Sequence, residues 1–336
     1  MKTRKKAFSA AAILLALITV LTSFAACGDD KDPSQNGEAA EKEYKLVCST
    51  FPQYDWLRVL IGDRADKFDL SLLTVKGTDM HSYQPTAEDI KNIGLSSAFF
   101  YIGGVSDGWV EDVKKAVGSD KTVFVNMTEI LGSSVLEEET ALEEEKHDHG
   151  GEEHHDDEVE YDEHIWLSVK NAGKLTTHFA SVLAKLDPDG KDTYETNLKA
   201  YLLSLSALDA EYKKAVENGK RDTVIFADRF PFLYLMKDYG IKYYAAFTGC
   251  SAESEASFKT ITALSRAADE IKADTILITE TSDGSIADAV ISGMSDKSCK
   301  KAVMNSMQSV KPAELATENY LGVMKANLET LKKALG

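Results

Sequence analysis

The apolar positions of the chain follow two periods in alternation. Short apolar runs at residues 45–50, 68–75, 97–102 and 122–125 predict strands, and the amphipathic stretches at 54–61, 86–94 and 110–117 predict helices between them. Thr86 is placed to cap its helix, with Glu88 and Asp89 in the first turn, and Gly62 and Gly94 close two of these segments. Two longer amphipathic stretches follow. Residues 169–186 carry Leu175, Phe179, Val182, Leu183 and Leu186 at helical spacing and stop at Asp187-Pro188. Residues 192–218 carry Leu198, Tyr201, Leu202, Leu205, Leu208 and Tyr212 and end at Asn218-Gly219. At about 1.5 Å per residue this second helix spans on the order of 40 Å. The alternation then resumes, with strands at 223–227, 242–247, 275–279 and 302–305 and helices at 232–239, 257–272, 285–294 and 315–335. Strand–helix alternation on both sides of a long helix predicts an α/β protein of two lobes, each a mostly parallel sheet with helices on both faces. The lobes are expected at 44–186 and 220–336, with a linking helix at 190–218.

Two stretches break this pattern. At the start, Lys2, Arg4, Lys5 and Lys6 precede an apolar run at 10–21 and then Ala25-Ala26-Cys27. Residues 1–26 are expected to be a secretory signal, with an apolar run too short for a permanent membrane span. Ala-Ala-Cys resembles a bacterial lipobox, with Phe24 where leucine is usual. Cys27 is therefore the expected lipidation site, and the polar residues 27–43 a flexible tether. The protein is expected outside the cytoplasm, anchored to the cell membrane. The second break is the acidic stretch at 137–163. It holds 15 Asp or Glu against Lys146 alone, and it ends against His164 and the apolar Ile165-Trp166-Leu167. Such a stretch cannot build a core and is expected to be a disordered loop of the first lobe. His147, His149, His154 and His155 lie among its carboxylates, a mixture that gathers divalent cations, so the loop is a candidate metal scavenger. The formal net charge is −17. Much of it sits in this loop, and no basic stripe offers the footprint that nucleic acid requires.

Several segments together resemble a known family, the metal-binding lipoproteins of bacterial zinc and manganese ABC importers. They are Ser49-Thr50-Phe51-Pro52, the run from Gly77 through His81 to Thr86, the His-rich acidic loop, and Tyr161-Asp162-Glu163-His164-Ile165-Trp166-Leu167. Further on come Asp209-Ala210-Glu211-Tyr212, Tyr239-Gly240, Ser251-Ala252-Glu253-Ser254-Glu255, and the run from Tyr320 to Leu328. The resemblance implies two similar lobes joined by one long rigid helix, with a metal held between them. It also implies capture of zinc, or alternatively manganese, for an ABC permease and its ATPase, by a protein acting as a monomer. His81 and His164 are the metal ligands it implies from the first lobe. Both follow loop sequence and precede a helix, so each can stand at one edge of a sheet, where ligands of open α/β sheets sit. The second lobe departs from the family pattern. Arg229 stands where a histidine or glutamate is usual, and arginine has no lone pair to give. Asn305 stands where an aspartate is usual. Asp228 and Glu280 are the candidate replacements, and Arg229 is a candidate partner for Glu255.

Cys250 and Cys299 both fall in the second lobe, and a disulfide between them is expected in an oxidising compartment, whereas Cys48 reads as core. Other functions remain open: a manganese-specific binding protein, a surface adhesin or metal buffer, and a secreted metallohydrolase. The last has no H-E-x-x-H or G-x-S-x-G motif to support it, so the protein is not expected to be an enzyme.

Overall fold

A computed structural model describes residues 42–74, 78–118, 121–139, 160–251 and 255–336. The signal, most of the tether with Cys27, and the histidines of the acidic loop lie outside the described residues. The first lobe consists of β1 (Tyr44–Cys48), α1 (Phe51–Ile61), β2 (Phe68–Leu72), α2 (Ala87–Gly94), β3 (Ala98–Tyr101), α3 (Val110–Val117), β4 (Val123–Asn126), α4 (Met127–Leu131) and α5 (Val169–Leu186). The long helix α6 (Lys191–Asn218) follows. The second lobe is β5 (Thr223–Phe230), α7 (Leu233–Tyr239), β6 (Lys242–Thr248), α8 (Phe258–Glu270), β7 (Thr275–Thr279), α9 (Ser285–Gly293), β8 (Lys300–Met304) and α10 (Tyr320–Leu335).

Each lobe holds one four-stranded sheet, ordered β2-β1-β3-β4 in the first and β6-β5-β7-β8 in the second. All the pairings within them are parallel. The fold is the expected one: two α/β lobes of the same strand order with a long helix between. In both sheets the order reverses beside the first strand of the lobe, and the crevice at the carboxyl ends of those strands is where such sheets take ligands. The strands read as apolar runs because both faces are covered. On β5, Ile225 and Ala227 face a core shared with Leu264 of α8 and Val290 of α9. The alternate residues Val224 and Phe226 belong to the main core with Leu328 of α10. In the first lobe Val47, Phe99 and Tyr101 pack with Ile93 of α2 and Val113 of α3, while Leu46, Cys48 and Phe100 turn to the main core.

That main core runs through both lobes without a break. It takes in Trp56 of α1, Phe179 of α5, Tyr201, Leu208 and Tyr212 of α6, and Tyr320 of α10. Trp56 lies edge-on to Phe179 and to Tyr320, with ring centroids 6.0 and 5.1 Å apart. Directed bonds tie the lobes along the same line. Tyr320 donates its amide to Asp55 Oδ2 at 2.8 Å and its hydroxyl to the Trp166 carbonyl at 2.7 Å. Tyr212 donates to the Met324 carbonyl at 2.7 Å, and Trp166 Nε1 to the Ser306 carbonyl at 2.9 Å.

Three local differences from the sequence pattern have physical causes. Helix α10 starts at Tyr320 because Asn319 caps it, accepting from the Gly322 amide at 2.7 Å. Strand β5 runs beyond Ala227 to Phe230, resuming its pairing with β6 after a register shift between Phe226 and Arg229. Its polar Asp228 is tolerated in a buried strand because Thr279 supplies both an amide and a hydroxyl to it. The expected disulfide is absent: Cys48, Cys250 and Cys299 are all free thiols. Cys250 lies just past the carboxyl end of β6 and Cys299 just before the amino end of β8. In a parallel sheet these are opposite ends, a five-residue strand of roughly 16 Å apart along the strand direction, well outside the roughly 7 Å Cα limit for a bridge.

Replacing the fully buried Trp56 by alanine is expected to lower stability by about 3–5 kcal/mol. Urea unfolding followed by far-ultraviolet circular dichroism checks this. Because the core is shared, both lobes should be lost in a single transition.

Candidate metal centre

His164 is placed by its own short motif. Asp162 Oδ1 accepts the His164 amide at 2.8 Å and lies 3.1 Å from ring Nδ1. The next three residues, Ile165–Leu167, form a single 3-10 turn and are fully buried. Ser168 then caps α5 by accepting from the Asn171 amide. The ring of His164 is fully buried. The main chain just before it is also tied down: Tyr234 of the second lobe donates its hydroxyl to the Asp162 carbonyl at 2.8 Å and accepts the Leu136 amide at 2.9 Å. Beside it the two ends of the acidic stretch meet, through a Glu137–Tyr161 bridge and the Glu138 amide on the Glu160 carbonyl at 2.9 Å.

His81 comes from the loop after β2. Asp79 accepts its amide at 3.0 Å and starts a short turn, Met80–Ser82. Its Nδ1 lies 2.8 Å from Ser106 Oγ and 3.4 Å from Glu163 Oε2. Glu163 is buried, and its Oε1 accepts the Ser106 amide at 2.7 Å. A Cβ on Gly104 would fall 2.1 Å from that oxygen, so the loop after β3 must be glycine there. Burial works to raise the Glu163 carboxyl, but the bonds from His81 and Ser106 outweigh it and hold the carboxyl below the usual range.

Both imidazoles are thus held from behind through Nδ1, beside a carboxylate in each case. This is the arrangement that puts the ring proton on Nδ1 and leaves the Nε2 lone pair free for a metal. The two Nε2 atoms lie 3.1 Å apart. Two nitrogens on one tetrahedral zinc, at 2.0–2.1 Å each, stand about 3.3 Å apart. Lone pairs this close repel unless an N–H donor or a cation lies between them. Gln308, 5% exposed on the loop after β8, directs its amide at both rings, with Nε2 3.2 Å from His81 Nε2 and in contact with His164 Nε2. A side-chain amide offers N–H donors on one side and a carbonyl oxygen on the other, so turning it over replaces a donor with a metal ligand. Met307, just before Gln308, lies in the left-handed region at φ 61°. A side chain holding φ in that region is uncommon and clusters at functional sites.

A third side chain reaches the pair. One ligand atom each from His81, His164 and Cys250 lies within 4.8 Å of the others, and these residues form the His/Cys/Asp/Glu cluster able to hold a metal among the described residues. Gly249 allows the approach: a Cβ there would meet the Phe230 carbonyl at 2.8 Å and His164 Cε1 at 3.0 Å.

The second-lobe candidates lie elsewhere. Asp228 accepts from the Thr279 amide and hydroxyl at 2.9 and 2.8 Å and from the Arg229 amide at 2.8 Å, so its carboxylate braces β5 against β7. Glu280 accepts from the Ser306 amide and hydroxyl at 2.8 and 2.7 Å, and burial raises its carboxyl. Neither belongs to the histidine cluster. Arg229 does not hold Glu255, which is exposed. It crosses the cleft to Asp79, at 2.9 Å. Burial acts to raise the Asp79 carboxyl, and the His81 amide together with Arg229 brings it below the usual range. Asn305 shapes the turn before Gln308, exchanging bonds with Asn327 and accepting the Met307 amide at 2.8 Å. Gln308 and Cys250 lie beside the histidines, and no sequence motif places either of them there.

Comparison with known proteins gives a consistent picture. The family described as zinc-uptake complex component A, periplasmic (ZnuA), matches residues 46–334. The high-affinity zinc uptake system protein ZnuA of Bacillus subtilis (strain 168) is 31% identical over 314 residues, 93% of each chain. The zinc-binding lipoprotein AdcA of Streptococcus pneumoniae serotype 4 is 30% identical over 299 residues, which are 89% of this chain but 57% of AdcA. Among solved structures, the metal-dependent lipoprotein YcdH from Bacillus subtilis aligns with a TM-score of 0.70 at 27% identity, over 87% of this chain and 99% of that one. The Zn(II)-bound ZnuA-like domain of Streptococcus pneumoniae AdcA aligns with a TM-score of 0.68 at 26% identity, over the same shares. The chain belongs to the zinc-uptake component A family.

Arg229 and Asp79 are each partly exposed, so Arg229→Gln is expected to cost about 1 kcal/mol or less in global stability. Its local effect should be larger. Amide hydrogen exchange at residues 79–82 should quicken while the sheets stay protected, and mass spectrometry of peptic fragments resolves the two.

Proposed function

With that membership as premise, we propose that the protein captures zinc outside the cytoplasm, between its two lobes, and hands it to an ABC permease driven by an ATPase. The observation that carries the proposal is the pair of Nε2 atoms 3.1 Å apart, each imidazole held from behind by a carboxylate. His81 and His164 are the ligands from the first lobe, and the Gln308 carbonyl oxygen, after the amide turns over, is a ligand from the second. No carboxylate oxygen enters the cluster among the described residues. Manganese favours oxygen-rich sites and zinc accepts imidazole readily, so the donor set favours zinc. Neutral imidazoles leave the ion's charge to be met by Asp162 and Glu163 behind them.

The shared core and the cleft-spanning Arg229–Asp79 pair favour capture by side-chain adjustment at the cleft rather than by wide opening of the lobes. Cys27 is the proposed membrane anchor. Among the described residues no helix is long and apolar enough to cross a membrane. His147, His149, His154 and His155 are proposed to collect metal weakly for the fixed site. The protein is proposed to act as a carrier, not a catalyst.

His81→Ala and His164→Ala should each weaken zinc binding more than the roughly 10–100-fold that loss of an outer hydrogen-bond partner costs, and Asp162→Asn should fall within that range. Competition titration against a chromophoric chelator measures all three. Unchanged affinity in His164→Ala would overturn the site. Deleting residues 143–157 should leave one tight zinc and remove weaker ones, read as stoichiometry by isothermal titration. A deletion strain that grows normally under zinc chelation would overturn the import role.

A further inference from the structure

We propose that Cys250 supplies a thiolate to the captured metal, making the cleft a mixed nitrogen–sulfur site that selects soft and borderline ions against manganese. The inference rests on the capture role proposed above, and it identifies which second-lobe side chain takes the ligand position that Arg229 leaves vacant.

Four observations converge on it. The first is distance. A sulfur at about 2.3 Å and a nitrogen at about 2.05 Å on one tetrahedral zinc stand about 3.6 Å apart. The ligand atoms of Cys250, His81 and His164 lie within 4.8 Å of one another, so closure by roughly 1 Å brings all three onto one ion. The second is backbone placement. Gly249 packs where a Cβ would lie 2.8 Å from the Phe230 carbonyl and 3.1 Å from His164 Nδ1, and the Cys250 amide is fixed on Glu138 Oε1 at 2.9 Å. The thiol therefore sits on a loop anchored both to the second sheet and to the first lobe. The third is elimination. Asp228, Glu280 and Arg229 are each engaged by other groups, which leaves Cys250 and Gln308 as the second-lobe side chains that reach the histidines among the described residues. The fourth is charge. Glu163 is buried, with its Oε2 3.4 Å from His81 Nδ1. A buried carboxylate oxygen so placed is stabilised when the ring in front of it is polarised by a bound cation.

On binding, the Cys250 S–H bond breaks, its proton leaves to water and a metal–sulfur bond forms. Two neutral imidazoles, one thiolate and the Gln308 carbonyl oxygen then make four ligands, and a divalent ion retains one positive charge against Glu163 and Asp162. Thiolate ligands favour zinc, cadmium and monovalent copper, whereas manganese prefers oxygen. A cysteine here thus fixes preference through ligand softness.

The test uses the full chain with cobalt(II) as a spectroscopic probe for zinc. Wild type should show a thiolate-to-cobalt charge-transfer band, which Cys250→Ser loses while Cys48→Ser and Cys299→Ser keep it. Cys250→Ser should also lose at least about 10-fold in zinc affinity, as even outer-shell losses do, with a smaller loss for manganese. Mass spectrometry of the wild type alone gives an independent reading: zinc should protect Cys250, and not Cys299, from alkylation. Tight zinc binding by wild type without the band, or with Cys250 fully alkylated, overturns the thiolate and leaves the histidine site standing. Failure of wild type to bind zinc at all overturns both. If Cys250→Ser misfolds by circular dichroism, the wild-type spectrum and protection decide.

Discussion

Two imidazole nitrogens held 3.1 Å apart repel through their lone pairs unless a proton or a cation lies between them. Holding them there takes structure, and much of the first lobe serves that end. Asp162 grips the amide and the ring of His164 at once. Ser106 and Glu163 hold His81 from the loop after β3, which fits only because position 104 has no side chain. The buried turn after His164 is bonded to the second lobe through Trp166 and Ser306. The two histidines are consequently set by the fold itself, and Gln308 directs its amide at both.

The shared core gives this arrangement its stiffness. Were the lobes independent, each with its own core, the cleft would be free to hinge. Instead a continuous apolar cluster passes from β1 and α1 through α5 and α6 to α10. Packed interiors transmit displacement rather than absorb it. What freedom the cleft has is thereby left to side chains and short loops, among them Gln308 and the loop that carries Cys250.

The fold was largely legible because both periods of the chain are pronounced and glycine, proline and capping residues mark their ends. That His81 and His164 lie at the ends of ordered loops was legible too, since D-x-H-I-W and the loop around His81 are local motifs whose geometry is set by near neighbours. The other half of the cleft was not. A carboxylate at a strand end looks the same in sequence whether it faces a ligand or braces the next strand, and Thr279 and Ser306 decide this for Asp228 and Glu280. Gln308 has no charge to draw attention, and its contacts with His81 and His164 span 227 and 144 residues of chain. Cys250 pointed toward a disulfide because both cysteines fall in the second lobe, although the predicted parallel strands already set them at opposite ends of the sheet. Arg229 was recognisable as unable to bind metal, but its partner Asp79 is 150 residues away in the chain.

The antiparallel tie between Glu137 and Tyr161 closes the described ends of the acidic stretch at one place. The Glu138 side chain accepts the Cys250 amide there at 2.9 Å, and Tyr234 of the second lobe bonds both the Asp162 carbonyl and the Leu136 amide. A displacement of either end is therefore passed to the backbone of His164 and of Cys250 together, and this seam between the lobes moves as one piece.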